Sequence, residues 1–236
     1  FDREQWHDDI VNFDVHLYTN TGALVVSKPL AFDGSLQTVN LNHLFSGHID
    51  ELRQGYWLVT ADPRKQGPGF SLTKLSYPSS SMLFGFWSDG AEIYDSVHSL
   101  GTRNAVGYDV GFNGVSDAAQ RSGRIVSRTK KFAPLQADGD RSSWFWICNM
   151  GGSEETVNAE VKMRVFGSDN QEGVASFTLD AGHARVLSAD EVLKDCGVNL
   201  TEGTFWIESN ECNLGGMWFL QNGDGKGFAT DHFTGA

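Results

Sequence analysis

The chain has 236 residues, a formal net charge of −12 and a sequence pI near 4.9. A field of that sign repels phosphate backbones, which excludes nucleic acid as a favoured partner, and no apolar run approaches the roughly 20 residues of a membrane-spanning helix. Hydrophobic residues make up 40%, enough for a packed core, and 27 Gly against 5 Pro, with 16 Phe and 7 Trp, suit many strands joined by glycine turns. Beginning at Phe1 without Met, the sequence reads as a processed or partial chain from which any signal peptide has already gone.

In chain order, NFDVHLYT (12–19) alternates Phe13, Val15 and Leu17 with polar residues, the period-2 pattern of a half-buried strand. NLNHLFSG (40–47) has Asn40 as an N-cap and Gly47 as a stop, predicting one short helical turn. GYWLVTA (55–61) is the next strand, followed by a long loop or extra hairpin over 62–81, then GFW (85–87) and the closing phrase YDSVHSLG (94–101). Residues 106–140 are Gly-rich and then basic, with Arg121, Arg124, Arg128, Lys130 and Lys131 clustered in an acidic chain. That segment reads either as a solvated connection or as a contact for a polyanion or an acidic subunit face.

Beyond it, SSWFWICN (142–149) places Trp144 and Trp146 on one strand face and Phe145 and Ile147 on the other. AEVKMRVF (159–166), ASFTLDA (175–181), HARVLSA (183–189) and GTFWIES (203–209) continue the strand pattern. Between the last two, SADEVLKDCG (188–197) predicts a short helix, with Ser188 and Glu191 forming a capping box and Gly197 as the stop. A second closing phrase, FATDHFTG (228–235), matches YDSVHSLG in its aromatic, Asp, His and Gly order.

The two phrases belong to a longer repeat. Gly34 and Gly182, Leu52 and Leu200, and Gly55 and Gly203 are each 148 apart; GFW and GMW (216–218) are 131 apart; His98 and His232, and Gly101 and Gly235, are 134 apart. A tandem repeat with an insertion in the first copy accounts for this shared order. The expected architecture is all-β: two tandem antiparallel β-sandwich domains from an internal duplication, spanning 1–105 and 141–236, joined by the segment 106–140. Aligning Val15 with Val161, an offset of 146, leaves the first domain without most of its opening strand. An open sheet edge invites a strand from a neighbouring subunit, and GRIVSRT (123–129) has the length and alternation to supply one.

The stretch 144–236, with Asn149, Gly182, Trp218, His232 and Gly235, resembles the β-sandwich of the sensory-rhodopsin transducer family and related repeats of bacterial surface and secreted proteins. The first unit resembles it through Gly34, Trp87, His98 and Gly101. The resemblance implies a non-catalytic binding or assembly module and supplies no catalytic residues.

Candidate chemistry is sparse. His98 has Asp95, Ser96 and Ser99 beside it, but a Ser/His/Asp triad assembles from separated segments, and the copy around His232 lacks both serines, so both histidines read as structural and no catalytic residue is assigned. QNGDGKGFATD (221–231) suggests a calcium loop through Asn222, Asp224 and Asp231, or else a tight glycine turn, since the alternating carboxylates of an EF-hand are missing. Of the three cysteines, Cys196 and Cys212 flank one predicted strand and are the disulfide candidate, with Cys148 left free. Asn199–Thr201 is a glycosylation sequon. Trp144, Trp146, Trp206 and Trp218 are candidate platforms for stacking on sugars, or else core residues. The expected function is a secreted or cell-surface structural module that associates with other copies of itself, without a cofactor; a carbohydrate-binding module or polysaccharide-acting enzyme is the alternative.

Overall fold

The computed structural model describes residues 11–32, 38–60, 83–86, 95–98, 129–149, 158–168, 170–180, 182–212 and 214–235. Their elements, in order, are β1 (Val11–Tyr18), β2 (Leu24–Phe32), α1 (Leu41–Leu44), α2 (Ile49–Gln54), β3 (Tyr56–Thr60), β4 (Leu83–Phe86), β5 (Asp95–His98), β6 (Thr129–Gln136), β7 (Arg141–Asn149), β8 (Ala159–Phe166), β9 (Glu172–Leu179), β10 (Ala184–Ser188), α3 (Ala189–Cys196), β11 (Glu202–Ser209), β12 (Leu214–Asn222), β13 (Phe228–His232) and β14 (Thr234–Gly235). Every described strand pair is antiparallel, so the chain is all-β as its alternation predicts.

The second half is a sandwich of a four-stranded sheet, β10-β7-β12-β13, on a five-stranded sheet, β14-β6-β11-β8-β9. Strand alternation sends Phe145 and Ile147 from one sheet, and Val161, Met163, Val165, Phe205 and Ile207 from the other, into one core. Phe145 and Phe205 meet across it at 4.3 Å between ring centroids. Asn149, buried at the end of β7, is satisfied by donating from Nδ2 to the Leu179 carbonyl at 2.9 Å. Helix α3 carries the chain from one sheet to the other and buries Val192, Leu193 and Cys196. Its ends are as predicted: Ser188 Oγ accepts from the Glu191 amide, the Glu191 carboxylate accepts from the Ser188 amide, and Gly197 ends the helix at φ +69°.

The first half is a three-stranded sheet, β2-β1-β3, whose inner residues Val15 and Leu17 pack on Phe45. Asn40 caps α1 through its side-chain oxygen, as predicted, but Phe45 rather than Gly47 closes that helix, and a second short helix, α2, follows. Strands β4 and β5 pair with each other.

A single offset of 148 relates β1, β2, α1 and β3 to β8, β9, α3 and β11. Both sheets share the same local order, β2-β1-β3 and β9-β8-β11. The register is shared too: Tyr18 faces Tyr56 as Phe166 faces Thr204, and Asp14 faces Thr60 as Lys162 faces Glu208. The hairpin turns repeat a bond, Thr19 N to Ala23 O and Gly167 N to Gln171 O, each 2.9 Å. They also repeat a left-handed residue, Gly22 and Asn170. A Cβ on Gly55 would strike the Tyr18 carbonyl and one on Gly203 the Phe166 carbonyl, the same close approach twice. This offset replaces the 146 read from Val15: the strand bounds and register line Val15 up with Met163 rather than with Val161, although all three are buried on inner strand faces.

Two further readings change. Strand β6 is part of the second sandwich, not of a connecting segment, because it pairs along all eight residues with β11. And β4–β5 matches β12–β13 at a constant offset of 134: Leu83 faces His98 as Met217 faces His232. Phe84, not Trp87, therefore takes the strand position of Trp218, while Trp87 and the segments 62–81 and 106–128 lie outside the described residues. Both His98 and His232 sit on strands rather than in closing turns.

Candidate binding surface

The two halves meet through outer sheet faces. On β1 and β3, Tyr18 and Tyr56 are directly opposite and point away from the Val15–Leu17 core. Their rings stack at 5.4 Å and pack on Cys148, Trp146 and Ala184, which lie on the outer face of β7 and β10. The Tyr56 hydroxyl donates to the Gly182 carbonyl at 2.8 Å, and the Ala184 amide donates to the Asn20 carbonyl at 2.8 Å. A Cβ on Gly22 would meet the Gly182 backbone, so the β1–β2 turn docks closely there. Burial, with smaller contributions from Cys148 and Tyr18, raises the Tyr56 hydroxyl above its ordinary pKa. Burial pushes the Cys148 thiol up to about 12.

The four candidate tryptophans do not share a platform. Trp144 and Trp146 are on the outer face of the four-stranded sheet, where Trp146 lies against Tyr56 at 5.8 Å and Trp144 stays 40% exposed. Trp218 faces the opposite way and packs on the sandwich core. Trp206 is on the outer face of the five-stranded sheet, stacked on Phe132 at 5.2 Å, with Phe166 at its edge and Lys130 4.7 Å above its ring. Beside it Arg164 reaches Glu172 at 3.2 Å and Glu208 at 3.4 Å.

The proposed disulfide is not formed: Cys148, Cys196 and Cys212 are all buried free thiols. Cys196 lies against Gly173 at the start of β9, which pairs through Val165 of β8 with the Phe205 end of β11, while Cys212 follows the other end of β11. Eight extended residues span about 25 Å, far beyond the ~7 Å limit between bridged Cα atoms.

Asn222 and Asp224 form the tip of the β12–β13 hairpin, with Asp224 accepting from the Lys226 amide at 2.9 Å and Asn222 N donating to the Gly227 carbonyl at 3.0 Å. Asp231 sits up the strand, facing Trp218 in the register, and its carboxylate takes the His232 amide and Nδ1 at 2.7 and 2.6 Å. The three are thus not brought together, and the tight-turn reading describes this loop. The tip borders an open groove of about 500 Å³, lined by Gly139, Asp140, Arg141, Asn222, Gly223 and Asp224. Among the described residues no three His, Cys, Asp or Glu side chains converge as a metal site.

Sequence reading missed the Tyr18–Tyr56 contact with Cys148, because nothing local marks side chains that meet across so long a stretch of chain. It also missed Phe132, whose strand was read as a linker; the inward pair Ala133 and Leu135 was the available signal. No known protein family, no characterised protein and no solved structure matches the chain.

Proposed function

We propose that the chain is a non-catalytic structural module that associates with further copies of itself, in an extracellular or cell-surface setting. One observation carries this reading: an outer sheet face of the first unit is buried on an outer sheet face of the second, through stacked tyrosines and a buried hydrogen bond. Faces that pack on other sheets within a chain are suited to packing on other sheets between chains. Two outer faces of the second sandwich remain to do so, one exposing Trp144 and Val186 and the other exposing Val174 among paired charges. Light scattering coupled to size exclusion, over a wide concentration range, tests the reading: assemblies that grow with concentration are expected, and a monomer at every concentration overturns it.

A second reading rests on Trp144, which is 40% exposed beside Val186 at 57% and offers a ring to a sugar. Oligosaccharide titrations that quench tryptophan fluorescence in the wild type but not in Trp144→Ala would support it.

A further inference from the structure

Four large apolar side chains are exposed among the described residues, and three of them lie on the two outer faces of the second sandwich. Val174 is on the five-stranded face, in the row of Trp206 and Arg164. Trp144 and Val186 are on the four-stranded face. The offset of 148 gives these faces distinct roles. Phe166 and Thr204 hold the places of Tyr18 and Tyr56, the pair that docks the first unit. The turn Gly167–Gln171 repeats the docking turn Thr19–Ala23, down to its closing bond and its left-handed residue. The five-stranded outer face is therefore the second unit's copy of a surface that is buried in the first. Its natural complement is also present. Val186 pairs directly with Trp146, and Trp144 is two residues from it on the same strand face, so the exposed apolar strip continues the surface that receives Tyr56.

We propose that the Phe166–Trp206 face of one molecule docks on the Trp144–Val186 strip of a second copy of this chain. The two surfaces are on opposite sides of one sandwich, so each molecule uses one to give and the other to receive. Such a head-to-tail contact propagates from copy to copy, building an open stack, or a ring where its rotation closes. The proposal rests on the self-association reading above and names its surfaces.

The test uses two variants of the full chain, Trp206→Lys, which spoils the giving face, and Val186→Lys, which spoils the receiving strip. Thermal melting checks their fold, and Thr204→Arg replaces the first variant if that one melts early. Each alone is expected to weaken association at least about thirtyfold, the cost of losing an interface anchor. Mixed, they are expected to form one-to-one pairs that grow no further, because each retains the surface that the other lacks. If the wild type assembles and Val186→Lys assembles equally well, the Trp144–Val186 strip does not receive the second copy and the proposal fails. Undiminished assembly of Trp206→Lys and Thr204→Arg removes the giving face and leaves self-association standing. A wild type that is monomeric throughout overturns both.

Discussion

The hydroxyl of Tyr56 donates a 2.8 Å hydrogen bond to the carbonyl oxygen of Gly182, joining residues 126 apart in sequence. The bond is buried, and the ring that carries it is sandwiched among Tyr18, Trp146 and Cys148. Tyr56→Phe keeps the ring and removes the donor. It is expected to lower stability by about 1–2 kcal/mol, since a buried carbonyl loses its partner. Tyr56→Ala also removes the stacked ring and is expected to cost about 3–5 kcal/mol. Denaturant titration measures both; a Tyr56→Phe protein as stable as wild type would show that this bond does not hold the halves together.

Glycine at 55 and 203 is required by close approach rather than by backbone angle. A methyl group at either meets a carbonyl of the paired strand, Tyr18 or Phe166, and backbone cannot move aside cheaply. Gly55→Ala and Gly203→Ala are each expected to destabilise by about 1–3 kcal/mol. Gly47→Ala, where a Cβ meets nothing within 4 Å, is the control, expected within about 0.5 kcal/mol of wild type. Equal melting of all three proteins would contradict the shared strand register.

All three thiols are expected to resist a thiol-specific reagent near pH 8 and to react together on unfolding, with no change in gel mobility on reduction. The pH effect at Cys148 has a definite sign. Burial raises its pKa to about 12, above the unfolded value near 9, so the native state favours the neutral thiol. The associated stability is complete below the unfolded value and is lost as pH rises toward 12. Cys148→Ala is expected to flatten that alkaline decline, which denaturant melts at increasing pH will show.

The capping box of α3 titrates in the other direction. Hydrogen bonds from the Ser188 amide and hydroxyl lower the pKa of the Glu191 carboxyl. The folded state therefore favours the carboxylate, and its contribution, present above the ordinary carboxyl range, is lost as pH falls through the lowered value. Ser188→Ala is expected to cost about 1 kcal/mol at neutral pH. Glu191→Gln should reduce the acid sensitivity of melting; an unchanged acid limb would show that the box contributes nothing to it.

Much of the fold is legible in the sequence because it is local. Strands β1, β7, β8 and β11 follow from alternation, and α3 follows from three residues, Ser188, Glu191 and Gly197. Strand β6 escapes because its two lysines and Pro134 resemble a linker. Proline is tolerated there: β14 pairs only beside Phe132 and Lys131, so Pro134 occupies an edge position whose missing N–H is not needed.

The candidate surfaces divide in the same way. By itself the sequence determined which residues alternate and where α3 begins and ends, because spacing along the chain dictates period and caps. Only the tertiary structure decided that Trp218 turns inward while Trp144 and Trp206 face outward on opposite sides of a sandwich. It alone decided that Cys196 and Cys212 stay apart, and that Tyr56 reaches Gly182. Each of these depends on which strands are neighbours and which sheet face is covered. Sheet order is set by packing between distant segments, which a period of two does not encode.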